Sequence, residues 1–150
     1  MSDAPAVIGV DASRITVANR TGTENYALLL RHLLQLPGQH AWRLYFRDAP
    51  QPSLLPPNPR AQQRVLALPR LWTHAALAGA LWRDPPAGLL IPAHVRPLLC
   101  AVPAVVTVHD LGFRHFPAAH TASGGFKLLL TVNSRNFGHF FTEFFTLFPC

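Results

Sequence analysis

Short apolar runs alternate with helical repeats along most of this chain, and that alternation limits its fold more than any other feature. Val7 to Val10 is an apolar run that stops at Asp11, and Ala41 to Phe46 alternates as a second strand would. Between them, Tyr26, Leu29, Leu30, Leu33, Leu34 and Leu36 recur with the period of one helix face. Thr21-Gly22-Thr23-Glu24 has the spacing of a capping box ahead of that helix. In such a box a threonine hydroxyl takes an orphan backbone N–H, and the glutamate three residues on reaches back. Pro37-Gly38 stops the helix. Arg64 to Leu68 reads as a third strand. Pro69 opens a second helical repeat, Leu71, Ala75, Ala78, Leu81 and Trp82, which Asp84-Pro85-Pro86 ends. The leucine face of the first helix and the stretch from Trp72 to Trp82 are both expected in the core. Leu89 to Pro92 and Val105 to His109 are the fourth and fifth strands. Ala49 to Pro59, rich in proline, is expected to be a surface loop. Apolar strands separated by helices predict an α/β fold, a Rossmann-like parallel sheet flanked by helices on both faces.

Composition narrows the class. In 150 residues, 49% are apolar and 13% charged, which suits one packed domain and not a disordered chain. The net charge is +6, compatible with a phosphate-bearing ligand, an acidic membrane surface or nucleic acid. Its 13 basic residues are scattered arginines with the single lysine Lys127, so a nucleic-acid partner is not expected. Cys100 and Cys150 make neither a disulfide framework nor a zinc pair. The N-terminus lacks the long apolar stretch of a signal peptide, and no apolar run reaches the ~18 residues of a membrane span. The expected place is the cytoplasm, with peripheral association at the inner membrane face suited to the positive charge. The first 121 residues read as one domain; residues 122–150 hold seven of the ten phenylalanines and read as an atypical Phe-rich segment.

In open α/β sheets, ligands bind beyond the carboxyl ends of the strands. Asp11 to Thr23, Arg47 onward, Ala93 to Val95, and His109 to Arg114 are the loops that leave such ends. Gly22 stands just before the capped helix. It either lets backbone approach an anion at the helix N-terminus, beside Thr23 and Glu24, or serves only the turn. His109 and Asp110 follow the fifth strand directly. They can hydrogen-bond a sugar hydroxyl or act as acid and base; the other reading is a strand-capping histidine with Asp110 as the N-cap of a short turn. His94, between Pro92 and Pro97, would face the same cleft or be a turn histidine. With no H-x-x-x-H, no D-x-D and only seven carboxylates, no metal is expected, and the absence of G-x-S-x-G argues against a serine nucleophile.

Ile8-Gly9-Val10-Asp11-Ala12-Ser13-Arg14, Arg20-Thr21-Gly22-Thr23-Glu24-Asn25-Tyr26, Pro92-Ala93-His94-Val95 and Val105-Val106-Thr107-Val108-His109-Asp110-Leu111-Gly112 resemble, in this order, the N-terminal domain of the family-4 retaining glycosyltransferases. The resemblance runs from about Val7 to His120. It implies one half of a GT-B fold, whose N-terminal domain supplies most of the acceptor site and whose C-terminal domain grips the nucleotide-diphosphate sugar. It implies hexose transfer with retention to a glycan or lipid-linked acceptor, with no metal and no cofactor. Gly22 would meet the donor phosphates or the acceptor, His109 would reach the transferred sugar, Asp110 would shape that loop, and His94 would line the acceptor side. The pattern departs after Pro117. Ser123 to Lys127 is shorter than the ~10–12 residues a crossover helix needs, and the family's paired glutamates and phosphate-binding basic residues have no counterpart. The expectation is a truncated or frameshifted product holding the acceptor-side half. The alternative is a non-catalytic binding module or partner subunit of a split glycosyltransferase.

Overall fold

A computed structural model describes residues 5–16, 24–92 and 95–107, with the side chains of Glu24 and Asn25 left out. Five strands make one sheet: β1 (Val7–Asp11), β2 (Ala41–Phe46), β3 (Ala61–Val65), β4 (Gly88–Ile91) and β5 (Ala104–Val106). Their order is β3-β2-β1-β4-β5 and every pairing is parallel, as the alternation predicts. The fold is therefore a Rossmann-like α/β arrangement. The chain steps outward from β1 to β3, returns to the other side of β1, and steps outward again to β5.

Strand side chains alternate between two faces, so register sorts the core. Ile8 and Val10 pair with Trp42 and Leu44, and these four residues form one floor. Helix α1 (Glu24–Gln35) covers that floor with Tyr26, Leu30 and Leu34. The stripe is narrower than expected. At 3.6 residues per turn, Leu29 and Leu36 fall on the flank away from Leu34, and both are more than half exposed. Asn58 and Arg60 cap the far end of α1. Asn58 Nδ2 donates to the Leu34 carbonyl at 2.7 Å, and the Arg60 guanidinium donates to the carbonyls of Leu36 and Gly38.

The opposite face carries Gly9, Arg43, Tyr45, Leu89 and Ile91. Its cover is one wider π-type turn, Trp72–Leu77, running into the short helix α2 (Ala78–Arg83), together with Cys100 and Val102 from the β4–β5 connection. Gly9 fits closely here. A Cβ at this position would lie 3.0 Å from Pro86 Cγ and 3.2 Å from Tyr45 Cε2, inside normal packing distance.

Several sequence expectations are corrected. The third strand is Ala61–Val65, not Arg64 to Leu68; it lies on the sheet edge and leaves Gln62, Gln63 and Val65 exposed, so the strands are not all apolar. The loop from Ala49 to Pro59 is not wholly on the surface, since Leu55 is buried against the α1 side. Trp72 is buried but Trp82 and Leu71 are exposed, so the Trp72 to Trp82 stretch is core on one side alone. The fourth and fifth strands begin one residue earlier than read, at Gly88 and Ala104. The capping-box threonines and residues 122–150, with their phenylalanines, lie outside the described residues.

Candidate active-site rim

The order of strands reverses between β1 and β4, and crevices in open α/β sheets form at that reversal, beyond the carboxyl ends. All five strands run the same way. The segments that follow β1, β4 and β5 therefore leave from one edge of the sheet. Those segments carry Gly22 and Thr23, His94, and His109 with Asp110, respectively. These five residues themselves lie outside the described residues. Glu24 is described as the first residue of α1.

At the β1 exit the described residues build a tight corner. The Asp11 carboxylate accepts the Ser13 backbone N–H at 3.0 Å, and Thr16 Oγ1 donates to the Ser13 carbonyl at 3.3 Å. Ala12 N–H extends the ladder to the Tyr45 carbonyl at 2.9 Å. From α1, the Tyr26 hydroxyl donates to the Asp11 carbonyl at 2.8 Å, which ties the start of the helix to the end of the strand. Asp11 is buried, and burial pushes its carboxyl above the usual carboxylate range; the Ser13 hydrogen bonds and the Arg14 charge pull less strongly the other way. Burial also pushes the Tyr26 phenol up, with the Asp11 charge adding to it. A desolvated carboxyl at a switch point has the environment of an acid–base or hydroxyl-binding group. Its contact with the Ser13 N–H is that of a turn holder.

The rim is also basic. Arg14 follows β1 and Arg47 follows β2, and both are exposed; Arg47 Nη2 donates to the Pro69 carbonyl at 2.7 Å, joining the exits of β2 and β3. Sequence reasoning did not single out Asp11, Arg14 or Arg47 as site residues. The available signal was positional: each stands at or just past the carboxyl end of a strand in an open α/β sheet.

A second polar cluster lies under the end of α2. Arg43 and Arg64 both reach Asp84 Oδ2, at 3.1 and 2.6 Å, and Arg43 Nη1 donates to the Asp84 carbonyl at 2.8 Å. Hydrogen bonding from Arg64, ahead of the Arg43 charge, holds the Asp84 carboxyl below its ordinary range. The cluster fastens the turn between α2 and β4 to β2 and β3. Beside it the Tyr45 hydroxyl and Arg43 Nε are buried without partners among the described residues, and burial pushes the Tyr45 phenol up. Among the described residues no three His, Cys, Asp or Glu side chains gather as a metal site would need, and no helix is long and apolar enough to cross a membrane.

Comparison of the chain with protein-family models, with curated proteins and with solved structures found no match. The fold is established by the sheet itself.

Proposed function

We propose that the chain is the acceptor-side half of a retaining hexosyltransferase that uses a nucleotide-diphosphate sugar. The observation that supports the reading is the parallel order β3-β2-β1-β4-β5, which sends the Gly22, His94 and His109 segments off one edge of the sheet around a strand-order reversal. In this reading His109 and Asp110 serve the transferred sugar. Gly22, Thr23 and Glu24 form the approach to the α1 N-terminus, whose partial positive charge suits a phosphate or hydroxyl oxygen. Exposed Arg14 and Arg47 add positive charge to the same rim. His94 lines the acceptor side. Transfer needs stabilisation of the departing nucleotide diphosphate, usually the largest electrostatic contribution to catalysis. The second domain of the resembled family supplies it, so the chain alone binds saccharide and does not turn over.

Saturation-transfer NMR against a panel of saccharide acceptors and nucleoside diphosphate hexoses tests this. The expected result is saturation of one acceptor class, lost in His109→Ala, with no donor consumed. Saturation of no saccharide overturns the reading, and consumption of a nucleotide sugar by the purified chain overturns the half-enzyme part of it.

A further inference from the structure

Arg43, Tyr45, Arg64 and Asp84 come together on the Tyr45 face of the sheet. Arg43 and Tyr45 stand two residues apart on β2, and Arg64 on β3 is the cross-strand neighbour of Tyr45, so all three share one face. Gly9 on β1 is the neighbour of Arg43 on the other side. The Tyr45 ring leans over that glycine, its Cε2 3.2 Å from where a Cβ would stand. The ring is therefore turned back along β2 toward the row that Arg43 occupies. Asp84, at the end of α2, engages both arginines through Oδ2, and its carbonyl accepts from Arg43 Nη1. The Tyr45 phenol feels all three charged groups, Arg43 first.

Neither the charge nor the hydrogen bonding of this cluster closes within the described residues. Two guanidinium groups against one carboxylate leave one positive charge over. Arg43 is 9% exposed and Tyr45 0%, yet Arg43 Nε and the Tyr45 hydroxyl have no partner among the described residues. Each buried polar group left so costs about 1–3 kcal/mol. Nε–H can only donate, and the phenol O–H can donate as well. One group that accepts from both and carries a negative charge answers all three demands. A water molecule accepting from both would bring two hydrogens of its own to satisfy and would leave the charge as it was. The cluster meets solvent on the side of Arg64 and Asp84, whose side chains are 31% and 45% exposed, so a small ion can exchange there. We infer that Arg43 and Tyr45 bind a small monovalent anion of the chloride class, which accepts from Arg43 Nε and the Tyr45 hydroxyl beside the Arg43–Asp84–Arg64 cluster. The inference does not depend on saccharide binding.

The full chain is tested by thermal melting at neutral pH while sodium chloride replaces sodium gluconate at fixed ionic strength, so that general screening stays constant. Gluconate is too large for a buried pair of donors. The melting temperature is expected to rise and saturate with chloride, by about 3 °C at ten times Kd. Chloride-35 NMR gives a second readout, an excess linewidth that grows with protein concentration and is displaced by bromide. Tyr45→Phe keeps the ring and removes one donor. It abolishes the chloride increment and the excess linewidth, and in gluconate it melts at or above the parent because an unpaired buried hydroxyl is gone. Arg31→Gln, at an exposed arginine on α1, leaves both readouts as in the parent. Melting that is the same in chloride and gluconate overturns the assignment, as does a chloride increment kept in Tyr45→Phe. So does an excess linewidth lost in Arg31→Gln and kept in Tyr45→Phe, which would mark adventitious binding at surface arginines.

Discussion

Beneath α1, the sheet is closed by one 12-residue helix whose Tyr26, Leu30 and Leu34 sit on Ile8, Val10 and Leu44. On the opposite face the cover is pieced together from a π-type turn, a six-residue helix and an extended connection, over a floor with a glycine and an arginine in it. The first face is held by apolar burial, about 1.5–3 kcal/mol for each leucine taken out of water. The second adds a three-membered ion cluster and a contact so close that a Cβ would have to push a neighbouring side chain aside. A regular helix closes a face through its period. An irregular cover has no period and relies on individual fits.

That contrast can be broken in order of expected effect. Leu30→Ala, at a fully buried position on the α1 side, lowers unfolding free energy by about 3 kcal/mol, measured from the urea midpoint. A loss well under 1 kcal/mol would mean the α1 face is not what holds the sheet. Gly9→Ala forces Pro86 or Tyr45 aside and costs about 2 kcal/mol; a neutral result in the same urea titration would show the second face to be loosely packed. Tyr26→Phe removes one buried hydrogen bond and leaves the Asp11 carbonyl unpaired, a loss of about 1 kcal/mol readable as a lower melting temperature.

The smallest effect is in the pH dependence, where two carboxylates oppose each other. Asp84 is held down, so its contribution is present above the ordinary carboxylate range and disappears as pH falls through its folded value. Asp11 is pushed up, so its contribution is present below the ordinary range and is lost as pH rises through its folded value. Asp11→Asn keeps an oxygen for the Ser13 N–H and removes the second trend. Its melting temperature therefore exceeds the parent's at neutral pH and the gain vanishes in acid. Equal melting temperatures at both pH values would contradict the desolvation of Asp11.

The sequence announces the elements of the α1 face, though it counts the exposed Leu29 and Leu36 in the core and leaves out Leu55. The bounds of β2 are those read from the alternation, and α1 starts at Glu24 and stops just short of Pro37-Gly38. The other face was harder to see, because its signals are not periodic. Arg43 is a charge inside an apolar strand, and its partner Asp84 stands 41 residues away. The third strand was misplaced because apolar content drew the reading to Leu66 and Leu68, whereas Asn58 fixes the strand start. Its side chain accepts from Arg60 N–H at 2.8 Å and its carbonyl from Ala61 N–H at 3.0 Å. Leu66 instead serves as the acceptor for Trp72 Nε1 at 2.8 Å. For the rim, the sequence order gave the edge from which Gly22, His94 and His109 depart. Asp11 went unnoticed because a carboxyl at a strand end gains its unusual character from burial, which only tertiary packing sets.

The bond from the Tyr26 phenol to the Asp11 carbonyl clasps both ends of the β1–α1 connection. A connection clasped at its base transmits little of its own length to the domain beneath. Doubling such a loop costs only about 0.6 kcal/mol of closure entropy. Residues can therefore be inserted or exchanged between those two anchors while the sheet below keeps its register.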